Sequence, residues 1–193
     1  MKPNPLISNV SESSRAKLVP KKRVIVYLRH GEDVRTKYKY DEKLTSEGKE
    51  SARELAEELI NKYGVPDAIY CSPFYRTRQT RRQMLKVIST YTDKRVVNIT
   101  DPRLSRFFTR SQTQNPDIRR DTLKKKAPIY ETWDEFKRRV RRQVKEMEWQ
   151  DIYDVIWCIG HTLIIKQVAK IKEINRSSHI KYLDTIILEV TKN

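Results

Sequence analysis

The chain has 193 residues, 37% hydrophobic and 34% charged, with 41 Lys and Arg against 25 Asp and Glu for a formal net charge of +16. That length suits a single domain, at roughly 100–200 residues each, with a core large enough to fold without disulfide or metal staples. No apolar run approaches the ~18 residues of a membrane span and the N-terminus has no apolar signal core, so transmembrane, collagen-like, coiled-coil and secreted classes are set aside, and the charge points to anionic partners.

Residues 1–21 are polar, with Pro3, Pro5, Pro20 and a serine cluster, and read as a flexible arm. The β-branched run Val24–Leu28 predicts a buried strand, followed by a polar stretch in which Tyr38 and Tyr40 sit among charges at the mouth of a pocket or against the arm. Thr45 is a helix N-cap, Ala52, Leu55, Ala56, Leu59 and Ile60 follow at helical spacing, and Gly64 then Pro66 stop the helix. A second strand is predicted over Ala68–Cys71, a helix over Gln79–Ile88 and a third strand over Arg95–Thr100. Residues 101–130 lack periodicity and read as a lid or insert. Trp133, Phe136, Val140, Val144 and Met147 mark one face of a long helix, then come a strand over Asp154–Ile159, a helix over Leu163–Ile171 and a last strand over Thr185–Val190. Strands alternating with helices predict an α/β three-layer sandwich over 22–193, with a mostly parallel central sheet and helices on both faces. Cys71 and Cys158 lie in strand-like runs and read as buried free thiols of a reducing, intracellular, most simply cytoplasmic compartment, and three scattered histidines give no metal-ligand spacing.

Glycine is scarce, only Gly31, Gly48, Gly64 and Gly160, where average usage near 7% would supply roughly three times as many. Gly31 and Gly160 each adjoin a histidine at the C-terminal end of a predicted strand, the edge where open α/β sheets bind ligands. Arg29 and His30 follow the first strand, Arg76 the second and His161 the fourth. Two guanidiniums and two imidazoles on one edge make a cationic pocket whose forks match phosphate oxygens and whose imidazoles can act as nucleophiles at neutral pH.

These residues resemble a known family. Leu28-Arg29-His30-Gly31-Glu32 is similar to the signature of the histidine phosphatase superfamily, the branch that includes the phosphoglycerate mutases. Further matches follow in the family's order: Leu44-Thr45-Ser46-Glu47-Gly48 with Ala52, then Ser72-Pro73 with Arg76, Gln79 and Thr80, then Glu131 with Phe136, Arg139 and Val140, then Ile159-Gly160-His161-Thr162, the match covering about residues 22–190. The resemblance implies a phosphoglycerate mutase-like fold and a phosphatase that needs neither metal nor cofactor. His30 would be the nucleophile that becomes phosphorylated, Arg29, Arg76 and His161 would hold the non-bridging oxygens, and water would hydrolyse the phosphohistidine. Arg29 and Arg76 should lower the His30 pKa while Glu32 and Asp33 oppose them.

The sequence departs from the family where a carboxylic acid would protonate the leaving oxygen. The position two after Leu104 is Arg106, the positions after Gln79-Thr80 are Arg81 and Arg82, and Asp101 and Asp33 remain as fallback acids. Thr162 stands where the family's last motif has glycine. Two alternatives to the phosphomonoester phosphatase therefore stand beside it: a catalytically weak member whose cleft binds phosphate or polyanions, and a phosphoglycerate mutase-like isomerase. His179 reads as a surface residue. Basic clusters at 76–86, 119–126 and 137–145 suggest non-specific contact with nucleic acid or an acidic protein through the surface.

Overall fold

The computed structural model describes residues 22–34, 42–128, 130–175 and 179–191. The expected N-terminal arm and the Tyr38–Tyr40 pair lie outside them. Five strands form one sheet in the order β3-β2-β4-β1-β5: β1 Lys22–Arg29, β2 Ala68–Cys71, β3 Val97–Thr100, β4 Val155–Gly160 and β5 Thr185–Thr191. All pairings are parallel except β1 with β5, so the sheet is mostly parallel and the α/β expectation holds.

The two faces follow from strand alternation. Val26, Leu28, Ile69, Trp157 and Ile159 point to α1 (Ser46–Tyr63) and α2 (Tyr75–Tyr91), with Ala56, Leu59, Met84 and Ile88 beneath them. Ile25, Tyr27, Ile156 and Cys158 point the other way, to Phe136, Val140, Val144 and Met147 of α5 (Trp133–Trp149) and Ile164, Ile165 and Val168 of α6 (Thr162–Ile171). Each such Ile, Leu or Phe contributes roughly 1.5–3 kcal/mol on leaving water. Both cysteines are buried and free. Trp133, expected on the inner stripe of α5, is instead 46% exposed. It occupies the first turn, where it stacks on Phe136 at 5.1 Å and meets Phe107 edge-on at 5.4 Å.

Segment 101–130 folds as a 3-10 turn at Pro102–Leu104, a short α3 (Arg110–Thr113) and α4 (Pro116–Lys124). Leu104 joins the core on the α5 side, while Phe108, Ile118 and Ala127 form a separate small cluster with Phe74.

Strand order decides where a site can form. β1 runs into α1 on one face and β4 into α6 on the other, although β1 and β4 are neighbours. Connections diverging from two adjacent parallel strands leave a crevice at their carboxyl ends.

Candidate active site

Register brings the two histidines to that crevice. Arg29 pairs with Gly160 across β1 and β4, so the next residue on each strand is a histidine. The rings of His30 and His161 are 5.3 Å apart and nearly edge-on, and each residue is only 4% exposed. Arg76 arrives from the first turn of α2, and its Nη2 lies 3.4 Å from His161 Nδ1. Arg29 donates to the Ile180 carbonyl at 2.7 Å and stacks over the Tyr182 ring at 4.0 Å, and that ring is 5.8 Å from His30. The four residues expected to form the pocket therefore come together at one sheet edge. α2 and α6 both begin there, at Phe74 and His161, with no side chain capping their first amides. Those amides and helix dipoles add to the attraction for an anion.

Hydrogen bonds fix the imidazole tautomers. His30 Nδ1 is 2.8 Å from the Gly31 carbonyl, which can only accept, so Nδ1 carries the proton and Nε2 the lone pair. Arg76 can only donate, so His161 Nδ1 accepts and His161 Nε2 donates to Ser72 Oγ at 3.0 Å. Burial, with Arg76 and Arg29 adding to it against the Gly31 carbonyl and Asp33, pushes the His30 pKa down to about 3. Burial, then Arg76, His30, Arg106 and Arg29, holds His161 well below the ordinary imidazole value. Both rings are neutral at pH 7.

The remaining motif residues build the frame. A Cβ on Gly31 would lie 2.6 Å from the Gly48 carbonyl oxygen, and one on Gly48 would lie 2.2 Å from that of Glu32, so the loop after β1 and the first turn of α1 interlock through two glycines. Thr80 accepts from the Gly31 amide at 3.0 Å, and Gln79 accepts from the Leu44 amide at 2.7 Å. Arg139 binds Glu131 as a fork and donates to the Arg103 and Ser105 carbonyls, which ties α5 to the segment carrying Arg106.

The two fallback carboxylates separate. Asp101 is 4% exposed and caps the 3-10 turn, accepting from the Arg103 amide at 2.9 Å and from Arg103 Nε at 3.0 Å. It is engaged in structure. Asp33 stands at the crevice, accepting from Tyr182 Oη at 2.8 Å and facing Arg76 Nη1 at 3.4 Å. Ser72 and Tyr182 are site residues that the sequence reading did not select. Ser72 lies inside the matched Ser-Pro motif, whereas nothing in the polar stretch 179–184 distinguishes Tyr182. His179 is exposed, as expected, and lines a cleft of about 380 Å³ with Arg29, Glu32 and Tyr182.

Known structures share this arrangement of strands and helices. A phosphoglycerate mutase from Bacillus anthracis str. Sterne superposes with a TM-score of 0.63 at 14% identity, covering 89% of each chain. A structure described as mycobacterial hydrolase 1 gives 0.59 at 20% identity over 87% of this chain and 92% of its own. A phosphoserine phosphatase mutant from Entamoeba histolytica gives 0.57 at 18% identity over 89% and 95%. Identities this low speak for the fold alone. No curated protein matches the chain in sequence. The family model of the histidine phosphatase superfamily (branch 1) does match, over residues 25–183, which run from the strand before His30 to the turn after Tyr182. With the paired histidines and their arginines inside that span, the chain belongs to branch 1 of the histidine phosphatase superfamily.

Proposed function

We propose that the protein is a phosphatase that takes the phosphoryl group of a phosphomonoester onto His30 and then passes it to water. The observation that carries this reading is the neutral His30 ring, with Nδ1–H bonded to the Gly31 carbonyl and Nε2 left as the nucleophile beside Arg29, Arg76 and His161. Nε2 forms a bond to phosphorus as the bond to the leaving oxygen breaks, and the electron pair departs with that oxygen. Charge spreads over the three equatorial oxygens, where the arginines stabilise it, while His161, bonded to Arg76 and Ser72, lines the same pocket. Water then attacks phosphorus, the N–P bond breaks and inorganic phosphate leaves. Asp33 acts as a positioning residue that orients Arg76 and Tyr182.

The test is hydrolysis of p-nitrophenyl phosphate by the full chain, with quenching for an acid-labile, base-stable phosphoenzyme. Wild type should turn over and form the adduct, and His30→Ala should lose both. Equal activity in the two proteins would remove the nucleophilic role. A second reading, a phosphate-binding protein with little turnover, is favoured by Arg106 at the expected acid position and by Asp101 being held by Arg103. It requires phosphate binding that weakens with salt and no turnover of any phosphoester.

A further inference from the structure

Beyond His161 the aromatic contacts continue. Tyr182, His30, His161 and Phe74 follow one another with ring centroids 5.8, 5.3 and 5.4 Å apart, and Phe108 lies a further 5.8 Å from Phe74. Arg29 sits over Tyr182 at one end. At the other end the Lys125 ammonium is 5.2 Å from the Phe74 centroid and the Arg106 guanidinium 4.9 Å from the Phe108 centroid. Both cations are half-buried, and the Arg106 charge reaches His161. The rings are fixed, because Phe74 and Phe108 are fully buried with Ile118 and Ala127. Rings held in this way orient cations at their faces. One phosphoryl dianion is matched by Arg29 and Arg76, whereas Arg106 and Lys125 stand on the Phe74 side of His161.

A second observation bears on the same side of the pocket. A leaving alkoxide needs a proton donor, and the two carboxylates considered for that role are engaged: Asp101 by Arg103, and Asp33 by Arg76 and Tyr182. A leaving group that is stable as an anion needs no such donor.

We propose that Arg106 and Lys125 are specificity residues that hold a second phosphate on the leaving side, so that the substrate is a phosphoanhydride. This rests on the His30 chemistry above and puts a phosphoanhydride in place of the phosphomonoester as the preferred substrate. His30 Nε2 attacks the terminal phosphorus, the bond from that phosphorus to the bridging oxygen breaks, and the shortened phosphate leaves with the electron pair on that oxygen, held by Arg106 and Lys125. Water then returns His30 and releases inorganic phosphate, and no oxidant or further reactant is involved.

The experiment compares inorganic tripolyphosphate, β-glycerophosphate and p-nitrophenyl phosphate on the full chain. An undonated alkoxide should cost about a hundredfold or more, so tripolyphosphate should exceed β-glycerophosphate in kcat/KM by at least that factor. Arg106→Gln and Lys125→Gln should each lower kcat/KM for tripolyphosphate roughly tenfold, the worth of one charged contact, and should lower it by less for p-nitrophenyl phosphate, which has no second phosphate to hold. Arg106→Lys should restore most of the loss, which a folding defect would not allow. Equal losses on both substrates, or no preference for tripolyphosphate while p-nitrophenyl phosphate still turns over through His30, would overturn the proposal and leave the His30 reading standing. Hydrolysis of p-nitrophenyl phosphate that survives His30→Ala would overturn the His30 reading itself.

Discussion

At the scale of single residues, the site depends on keeping two imidazoles neutral, and this is measurable without a substrate. The His30 pKa lies near 3 and that of His161 well below the ordinary value, in each case chiefly through burial. The unfolded chain has both near 6.5. As pH falls below about 6.5 the unfolded state therefore takes up protons that the folded state refuses. Stability is full above that pH and should drop by roughly 1.4 kcal/mol per pH unit on account of His30 as the pH approaches 5, with His161 acting in the same direction. Urea midpoints across pH 5–7.5 should show this slope, and His30→Gln or His161→Gln should each flatten it. Proton NMR of the same samples should find the His30 ring not titrating above pH 5 and the His161 ring shifted below the ordinary imidazole value, and a His30 resonance with a midpoint near 6.5 would contradict the account. Tyr182 gives the second residue-scale prediction. Its ring supports Arg29 at 4.0 Å and its hydroxyl donates to Asp33. Tyr182→Phe keeps the ring and should change kcat/KM for p-nitrophenyl phosphate by less than Tyr182→Leu, which forfeits a cation–π contact worth about 0.5–2 kcal/mol and so roughly twofold to thirtyfold. The four pocket residues were legible because each lies beside a strand run, a motif or a glycine. Tyr182 was not, since its role comes from the turn before β5, where Leu183 takes a φ of 59° and its amide meets the His30 carbonyl at 3.4 Å.

Among elements, the clearest difference between expectation and structure is the start of α2. Apolar periodicity placed it near Gln79, but the helix begins at Tyr75. Its first two turns bring Arg76, Thr77 and Thr80 inward, all buried, so the buried face is polar and a hydrophobic pattern cannot report it. The polarity is functional: Arg76 serves the pocket, Thr77 bonds the Ser72 carbonyl and Thr80 holds the Gly31 amide. Segment 101–130 shows the same effect, because what anchors it is a buried ion pair that no periodicity reveals. Arg139 and Glu131 have side chains 11% and 7% exposed, and Arg139 also serves the carbonyls of Arg103 and Ser105. Arg139→Leu would leave a buried carboxylate and two carbonyls without their donor. Loss of one member of such a pair typically costs about 3–5 kcal/mol, and a fall of that size in urea unfolding free energy is expected. Glu131→Leu with Arg139→Leu together should cost less than the sum of the single changes. Strict additivity would mean that the pair does not couple α5 to the segment bearing Arg106.

On the scale of the whole molecule, part of the charge of +16 lies in exposed basic rows on α2 and α5 that pairing does not neutralise. Arg138, Arg141, Arg142 and Lys145 recur at helical spacing along α5, all exposed and outside every salt bridge found among the described residues, and Arg78 and Arg82 on α2 are alike. Acids near these rows are committed elsewhere: Glu146 to Arg103 and Glu148 to Lys172. A net positive field raises the local concentration of anions and speeds their encounter with the pocket. Such steering acts over a Debye length, which shrinks from about 20 Å to about 7 Å between 20 and 200 mM salt. kcat/KM for a multiply charged phosphate should therefore fall steeply across that range, and by more than for p-nitrophenyl phosphate. Replacing the four α5 residues with Gln should flatten the dependence while leaving activity at high salt unchanged, because none of them belongs to the pocket. Were kcat/KM indifferent to salt, the basic rows would have no part in substrate capture. Were it lowered equally at all salt concentrations by the four substitutions, they would be acting on the fold rather than through the field.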